Sequence, residues 1–191
     1  IQDKPQPSYH LLDLKPYFSH RGDELGFILE ATSPIFETEG ILFRVIPFGK
    51  NAAYLPEAST ETLIIPINQK VGQFYLLLGA KFNTGRFSSG LESYADGFLL
   101  DILYENGKSE RVFPELKATG EFRMKEGSIA VYSAVPALDE KIAHLRLLDR
   151  TPHAGFALFG LTLSAEKPRM PLPAPPARPF QRAIKLLKPV K

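Results

Sequence analysis

The stretch YADGFLLDILYENGKSERVFPE, residues Tyr94–Glu115, decides the fold. Its first half, Gly97–Glu105, alternates in side-chain character with the period of two that is typical of a half-buried β-strand. The predicted core face carries four large side chains, namely Phe98, Leu100, Ile102 and Tyr104. Asn106 and Gly107 follow, and this dipeptide favours a two-residue turn in which both residues take positive φ. Because a second strand is predicted at Ser109–Phe113, we expect an antiparallel β-hairpin.

The acidic residues of this stretch raise the question of catalysis, because two carboxylates on a β-sandwich can hydrolyse glycosidic bonds. Asp96 precedes Gly97, and such a pair is typical of a turn in which the Asp side chain bonds to nearby backbone N–H groups. Asp101 and Glu105 lie on the face opposite the predicted core, where we expect them to be solvated. Structural or surface roles are therefore predicted for these acids, and a hydrolase or lyase site stays open as the alternative.

The chain up to residue 164 has the same β character. Runs of apolar, β-branched and aromatic residues recur between Gly, Pro, Asn and Asp, and no long segment has the 3.6-residue period of a helix. Besides the hairpin, the predicted strands are Leu25–Ala31, Ile41–Ile46, Thr62–Ile67, Gln73–Phe82, Ser128–Val135, Lys141–Asp149 and Gly155–Ser164. This pattern predicts an all-β fold, an antiparallel β-sandwich or jelly roll.

Two stretches within these strands are apolar at nearly every position. They are FYLLLGA, Phe74–Ala80, and GFALFGLTL, Gly155–Leu163. Strands of this kind lie in the middle of a sheet or have their second face covered by loops. Gly160 inside the second stretch predicts a bulge or a close approach of two backbones.

The composition fits one packed domain followed by an extended segment. The 191 residues are 44% hydrophobic, with 14 Phe and 7 Tyr, which is enough to form a buried core. Residues 1–164 are predicted to form the sandwich. Residues 165–191 contain six prolines within Lys167–Pro179 and seven Lys or Arg against one acid. We interpret this segment as a Pro-rich basic connector or a strap packed on the domain.

Several classes of protein are disfavoured by what the sequence lacks. The absence of cysteine excludes disulfides, thiolate chemistry and Cys-based metal sites. A basic tail can be typical of binding to nucleic acid or anionic membrane, but residues 1–164 have no basic stripe interleaved with aromatic residues, so no nucleic-acid partner is predicted. The apolar runs are far shorter than the roughly 18 residues of a membrane span. No signal peptide is recognisable, and a start at Ile1 is expected of a processed or excised chain.

The histidines do not have the spacing of a metal site. His10, His20, His144 and His153 are never two or four residues apart, so no single element supplies two ligands. Phosphate-binding glycine loops and serine nucleophile motifs are also absent. We predict no cofactor. A structural Ca²⁺ held by loop carboxylates and carbonyls stays open, without the DxDxDG spacing that would support it.

Polar residues inside apolar strands are the first candidates for ligand binding. Arg44 interrupts one predicted strand, and His144 and Arg146 interrupt another. On a shared concave face, guanidinium and imidazole groups can hydrogen-bond to sugar hydroxyls or to a carboxylate. The alternative is that the two arginines pair with acids such as Asp101 or Asp149 across the sheet.

Loop residues are the second group of candidates, because a rigid sandwich presents its loops for binding. The loop candidates are His20, Arg21, Lys50, Asn51, Asn83, Arg86, Tyr94 and His153. Drawn from both groups, the predicted ligand-binding residues are Arg44, Asn51, Arg86, Tyr94, His144 and Arg146. No residue is predicted to be catalytic.

Three segments together resemble a known family. They are LLDLKPYFSHRGDELG, then GILFRVIPFGKNAAYLP with TLIIPINQKVGQFYLLLGA, and finally YADGFLLDILYENGK with EKIAHLRLLDRTPHAGFALFGLTL. Together they resemble galactose-binding-like jelly-roll modules of bacterial, Bacteroidetes-type, carbohydrate-active proteins. The resemblance covers about residues 10–164. The chain departs from that pattern at Ser19 and His20, where an Asn is common, and at Leu42, where a Pro is usual.

The resemblance implies a non-catalytic module that binds carbohydrate or supports a neighbouring catalytic domain. Such a module belongs to a larger secreted or periplasmic bacterial protein that processes glycans. Its expected partners are a carbohydrate ligand or the catalytic domain beside it. The family's matching motifs contain no catalytic residue, so none is carried over. The alternatives are a glycoside hydrolase or polysaccharide lyase with its own carboxylates, and a purely structural brace between domains.

Overall fold

A computed structural model describes residues 8–56, 60–82, 98–117, 129–149 and 154–168 of the chain. Within these ranges the regular structure consists of strands and two single-turn 3₁₀ helices, Lys15–Tyr17 and Asp23–Leu25. The strands are β1 (Tyr9–Leu11), β2 (Ile35–Thr38), β3 (Ile41–Arg44), β4 (Ala53–Leu55), β5 (Thr62–Lys70), β6 (Gln73–Phe82), β7 (Phe98–Tyr104), β8 (Ser109–Val112), β9 (Glu115–Lys117), β10 (Ile129–Ala134), β11 (Lys141–Asp149) and β12 (Ala154–Ser164). This confirms the all-β prediction. None of the helices in the described ranges has the length and apolar character needed to cross a membrane.

The strands form two main sheets, and every pairing is antiparallel. One sheet has the order β1-β12-β6-β10-β9, with β4 pairing to β12 along the same edge as β1. The other has the order β5-β11-β7-β8, and β2 and β3 form a separate hairpin. The two main sheets pack face to face, as the predicted β-sandwich requires.

The main core lies between these two sheets. The four side chains that were predicted to form the core face of β7 all belong to it, and they are between 0 and 3% exposed. From the opposite sheet, β6 contributes Phe74, Leu76 and Leu78, while β12 contributes Leu158 and Leu161. Burial of one such side chain stabilises a fold by about 1.5–3 kcal/mol. The hairpin therefore anchors the four-stranded sheet to the six-stranded one.

A second core lies on the other face of the six-stranded sheet. There Leu77 of β6 and Phe159 of β12 pack against Phe43 of β3 and against Phe27, which lies in the loop before β2. Both central strands are thus buried on both faces, as their apolar sequences predicted. The six-stranded sheet is the middle layer between the second sheet and a cover made of the β2–β3 hairpin and the loop residues 21–31.

The bulge predicted at Gly160 is confirmed, and the close neighbour of this glycine is the side chain of Phe43 and not a second backbone. The pairing of β12 with β6 shifts register between Leu158 and Gly160, and a Cβ atom on Gly160 would lie 3.1 Å from the Cβ of Phe43. The extra residue changes which face the following side chains occupy. As a result, Phe159 faces the cover while Leu158 and Leu161 both face the main core.

The hairpin of β7 and β8 is confirmed, but its turn differs from the predicted one. The Tyr104 N–H donates to the Lys108 carbonyl at 2.9 Å, and the Gly107 N–H donates to the Tyr104 carbonyl at 3.1 Å. This is a three-residue loop closed by a glycine with φ of 85°. Asn106 is not among the residues with positive φ, so that part of the prediction was wrong. Its side-chain oxygen instead accepts a hydrogen bond from the Lys108 N–H at 2.9 Å.

The strand predicted at Leu25–Ala31 is also wrong, although its alternation is real. Phe27 is buried and Ile28 is exposed, as in a strand, but the segment joins no ladder. Gly26 takes φ of 88° immediately after the second 3₁₀ helix and redirects the chain over the face of the sheet. The buried apolar residues of this segment therefore pack on the face of the six-stranded sheet, and their backbone forms no strand pairing. Four short strands, β1, β2, β4 and β9, were not predicted.

Gly79→Ala is expected to lower the free energy of unfolding by about 1–3 kcal/mol, because the new methyl group overpacks the second core. A Cβ atom at this position would lie 2.5 Å from the buried ring of Phe27. Urea denaturation monitored by circular dichroism measures the loss. The double variant with Phe27→Leu should lose less than the sum of the two single variants, and simple additivity would contradict this packing.

Candidate functional site

The cover over the six-stranded sheet contains a pocket of about 370 Å³ that is open to solvent. Residues 21, 23 and 27–29 line one part of it, and residues 47–49 and 51 line the other. Pockets for small molecules have volumes of roughly 300–1,000 Å³. The pocket is therefore large enough for a compact ligand.

Backbone pairing holds the two lining segments together. His20 and Ala52 form an antiparallel bridge, and the Asn51 N–H donates to the His20 carbonyl at 3.0 Å. The side chain of Asn51 adds a further bond, because its Oδ1 accepts the Gly22 N–H at 2.8 Å. Asn51 is only 8% exposed. Asn51 therefore fixes the distance between the two lining segments.

The inner wall rests on the second core. Phe27 lines the pocket and packs edge to face on Phe159 of β12, with ring centroids 5.7 Å apart. Gly22 lies over the same ring, and a Cβ atom there would come within 2.7 Å of Phe159. A side chain larger than hydrogen at position 22 would push the loop off the sheet. The inner wall of the pocket therefore rests on Phe159, the extra residue of the bulge, which packs on the cover side of the sheet.

Two large apolar side chains at the rim are exposed to solvent. Phe48 is 82% exposed and Ile28 is 76% exposed, the two highest values among the large apolar residues that the structure describes. Both line the pocket. Exposed apolar groups beside a concavity are typical of a binding surface.

The charged part of the pocket is an ion pair between Arg21 and Asp23. Arg21 donates from Nε to Asp23 Oδ1 at 3.0 Å and from Nη2 to Oδ2 at 2.5 Å, and its Nε also lies 3.7 Å from a Glu24 carboxylate oxygen. The hydrogen bond from Arg21 lowers the pKa of the Asp23 carboxyl below its ordinary value. Asp23 is therefore an ionised hydrogen-bond acceptor at neutral pH and is unsuited to act as a general acid.

These groups suit a ligand that has an apolar face and several hydroxyl groups. An aromatic ring can pack against the C–H face of a sugar, while carboxylate, guanidinium and carboxamide groups bond to its hydroxyls. Among the described residues, Asp23 is the only carboxylate that lines the pocket. The described part of the pocket thus lacks the pair of carboxylates that glycoside hydrolysis uses.

The predicted ligand-binding residues are distributed over different layers. Asn51 lines the pocket, whereas Arg44 lies in β3, with Nη1 4.0 Å from an Asp13 carboxylate oxygen. His144 and Arg146 lie on the outer face of β11 in the four-stranded sheet. Arg44 therefore shares no face with these two residues. The predicted residues Arg86 and Tyr94 lie outside the described residues, as do Asp96 and the loop candidates Asn83 and His153.

Arg146 pairs with Asp101, as the structural alternative for this residue predicted. Arg146 Nη2 lies 2.6 Å from Asp101 Oδ2, and Arg111 of β8 approaches the same carboxylate with Nε 2.7 Å from Oδ1. Asp101 was expected to be solvated, but it is only 4% exposed. The alternation along β7 predicted correctly that Asp101 lies on the outer face of the sheet. The expectation was wrong about burial, because two guanidinium groups from the neighbouring strands cover the carboxylate.

Metal binding finds no support within the described ranges. No group of three or more His, Asp or Glu side chains there is arranged to hold a metal ion. His10 bonds to Gln69 at 2.7 Å, and His20 bonds to the neighbouring Ser19 hydroxyl at 2.8 Å. His10 and His20 are thus each bonded to a different neighbour and lie in different elements.

Comparisons with known proteins complete the description of the site. The chain matches no family model, and no curated protein is significantly similar to it. The class that fold and site define is therefore an all-β antiparallel sandwich with a small pocket in its loop cover. The likeness to galactose-binding-like modules stays a prediction from the sequence motifs.

Of the nine described residues that line the pocket, only Arg21 and Asn51 were predicted as binding candidates. The other seven include Asp23, Ile28 and Phe48. Phe48 had a recognisable signal, because an aromatic residue between Pro47 and Gly49 lies in a turn where it has little chance of being buried. Ile28 was assigned to a predicted strand, Leu25–Ala31, and was therefore not considered as an exposed loop residue. Asp23 was read only as part of the family-like opening segment.

Asp101→Asn is expected to lower the free energy of unfolding by about 1–3 kcal/mol at pH 7, because a neutral amide leaves two arginines without their buried partner. The hydrogen bond from Arg111, with that from Arg146, lowers the pKa of Asp101 below its ordinary value. The contribution of the ionised carboxylate is thus fully present above the unfolded pKa of about 3.9 and is lost as the pH falls through the lower folded pKa.

Urea denaturation of both proteins between pH 2 and pH 7 measures this difference. The gap should be constant above about pH 5 and should shrink below pH 4. Asp13→Asn is the matched control, since Asp13 is an exposed acid whose arginine lies 4.0 Å away, and its loss should cost under about 0.5 kcal/mol. Equal losses in the two variants would contradict the buried pairing.

Proposed function

We propose that this chain is a carbohydrate-binding β-sandwich module of a larger secreted or periplasmic protein that processes glycans, and that its ligand occupies the pocket in the loop cover. The observation that carries the proposal is the combination of an exposed Phe48 and Ile28 with the Arg21–Asp23 ion pair in one cavity. The sequence resemblance to galactose-binding-like modules supports the same function.

The chemistry of the pocket favours a neutral sugar. The ion pair of Arg21 and Asp23 is charge-neutral, and Glu24 adds a negative charge beside it. A ligand hydroxyl can accept from the guanidinium and donate to the carboxylate at the same time. Because both side chains are about half exposed or more, little free energy is needed to rearrange the pair around a hydroxyl.

A brace between domains is the second candidate, since Phe48 and Ile28 would also suit contact with a neighbouring protein surface. The two functions differ in what they need from the polar wall. A sugar site needs Asp23 as an acceptor, whereas an apolar contact depends on Phe48 and Ile28 and not on Asp23. An enzyme with its own carboxylate site is less well supported, because Asp23 is the only carboxylate among the described residues that line the pocket.

Phe48→Ala is expected to weaken glycan binding by at least about tenfold, the effect of losing one well-packed apolar side chain. A glycan array screened with the 191-residue protein identifies the ligand, and calorimetric titration gives the affinities. Phe113→Ala is the matched control, because Phe113 is another exposed Phe (53%) and does not line the pocket. It should bind as tightly as the wild type.

Asp23→Asn separates the two candidates. It keeps the shape of the side chain and should reduce glycan affinity, because the amide replaces an ionised acceptor. Thermal melts should show both pocket variants folded. Absence of saturable binding to any glycan, or unchanged affinity in Phe48→Ala, would overturn the proposal.

A further inference from the structure

The outer face of the four-stranded sheet carries a charge arrangement that the pocket does not use. Four residues from four adjacent strands form one cross-strand row, in the order Ile64, Arg146, Asp101 and Arg111. Neighbouring strands lie about 4.8 Å apart, so the two arginines flank the strand of Asp101 from both sides. One carboxylate serves two guanidinium groups, which leaves the row with one excess positive charge.

The buried carboxylate fixes the orientation of both arginines. Arg111 donates from Nε at 2.7 Å and from Nη2 at 3.1 Å, and Arg146 donates from Nε at 3.2 Å and from Nη2 at 2.6 Å. Each guanidinium therefore directs the edge formed by Nε and Nη2 toward Asp101. Since the group is planar and rigid, its second edge, formed by Nη1 and Nη2, points away from that carboxylate.

These second edges have no acceptor in the described part of the chain. No described residue receives a hydrogen bond from Nη1 of Arg111 or Arg146, and the two side chains are 41% and 39% exposed. The acid next to Arg111 in sequence, Glu110, lies on the other side of β8, where it accepts from the Tyr104 hydroxyl and the Ala137 N–H. Glu110 thus bonds to these groups and forms no ion pair with Arg111.

Among the described residues, the rest of the face does not cancel the charge. Glu105, at the end of β7, is already paired with Lys141 at 2.6 Å. His144 lies on the same face of β11 and is exposed, and it is flanked on β5 by the exposed Pro66. The described face therefore offers two prepositioned guanidinium edges, an imidazole and apolar neighbours.

We propose that Arg111 and Arg146 form a binding site for a compact oxyanion, such as a carboxylate, sulfate or phosphate group. Each outer guanidinium edge, to which no described residue bonds through Nη1, presents parallel N–H donors at the spacing that such oxygens accept. Asp101 has already restricted both side chains, so little rotamer entropy is lost on binding. This site lies in a different layer from the pocket and does not depend on what the pocket binds.

Nuclear magnetic resonance of the arginine side chains in the 191-residue protein tests the site. Sodium sulfate, sodium phosphate and sodium glucuronate are titrated separately at constant ionic strength set with chloride, and glucose serves as the neutral probe. The signals of Arg111 and Arg146 should shift saturably with the anions and stay unchanged with glucose. Tighter binding of glucuronate than of sulfate would identify an acidic saccharide as the source of the anion, and the reverse would identify a free ion.

Arg111→Gln should weaken anion binding by about tenfold, as expected for losing charge-assisted hydrogen bonds. Lys70→Gln is the matched control, because it removes one exposed cation of the same sheet whose acid, Asp139, lies 3.8 Å away, and its affinity should stay within about twofold of the wild type. If Arg111→Gln unfolds, Arg111→Lys keeps the charge without the fork and should change affinity in the same direction. Shifts that rise linearly with every salt, or equal losses in Arg111→Gln and Lys70→Gln, would overturn the proposal.

Discussion

The constraint on which this structure depends is that β6 and β12 are apolar on both faces. Pairing within the sheet satisfies their backbone groups, but each face also needs a cover that removes it from water. The four-stranded sheet covers one face, and the β2–β3 hairpin with residues 21–31 covers the other. A sheet packs densely, whereas a cover made largely of loops leaves gaps. The pocket lies in the loop cover for this reason.

A single extra residue in β12 connects this constraint to the pocket. Without the bulge before Gly160, strict alternation would place Leu161 on the same face as Phe159. The bulge lets Leu161 remain in the main core while Phe159 faces the cover. Phe159 in turn supports Phe27 and requires a glycine at position 22, beside the bond from Gly22 to Asn51. The position of Phe159 in the sheet therefore determines the geometry of the pocket wall.

Periodicity predicted most of the long strands, because each of them has its own hydrophobic pattern. The limits of Gln73–Phe82 and Lys141–Asp149 agree with the structure at both ends. The same reasoning failed at Leu25–Ala31, where alternation reflects packing on a sheet and not pairing within one. It also failed for the burial of Asp101, since only the cross-strand register brings Arg111 and Arg146 over that carboxylate. Contacts between distant strands leave no local pattern in the sequence.

The two Arg–Asp centres show why residue type alone does not predict a site. At Arg21 and Asp23 both side chains are exposed, so water competes for every hydrogen bond and the pair can open around a neutral hydroxyl. The carboxylate of Asp101 is buried, and separating it from its arginines would leave a charge out of water. Its arginines therefore stay in place and offer only their outer edges. The same two residue types suit a neutral ligand in one layer and an anion in the other, and the burial of the carboxylate makes the difference.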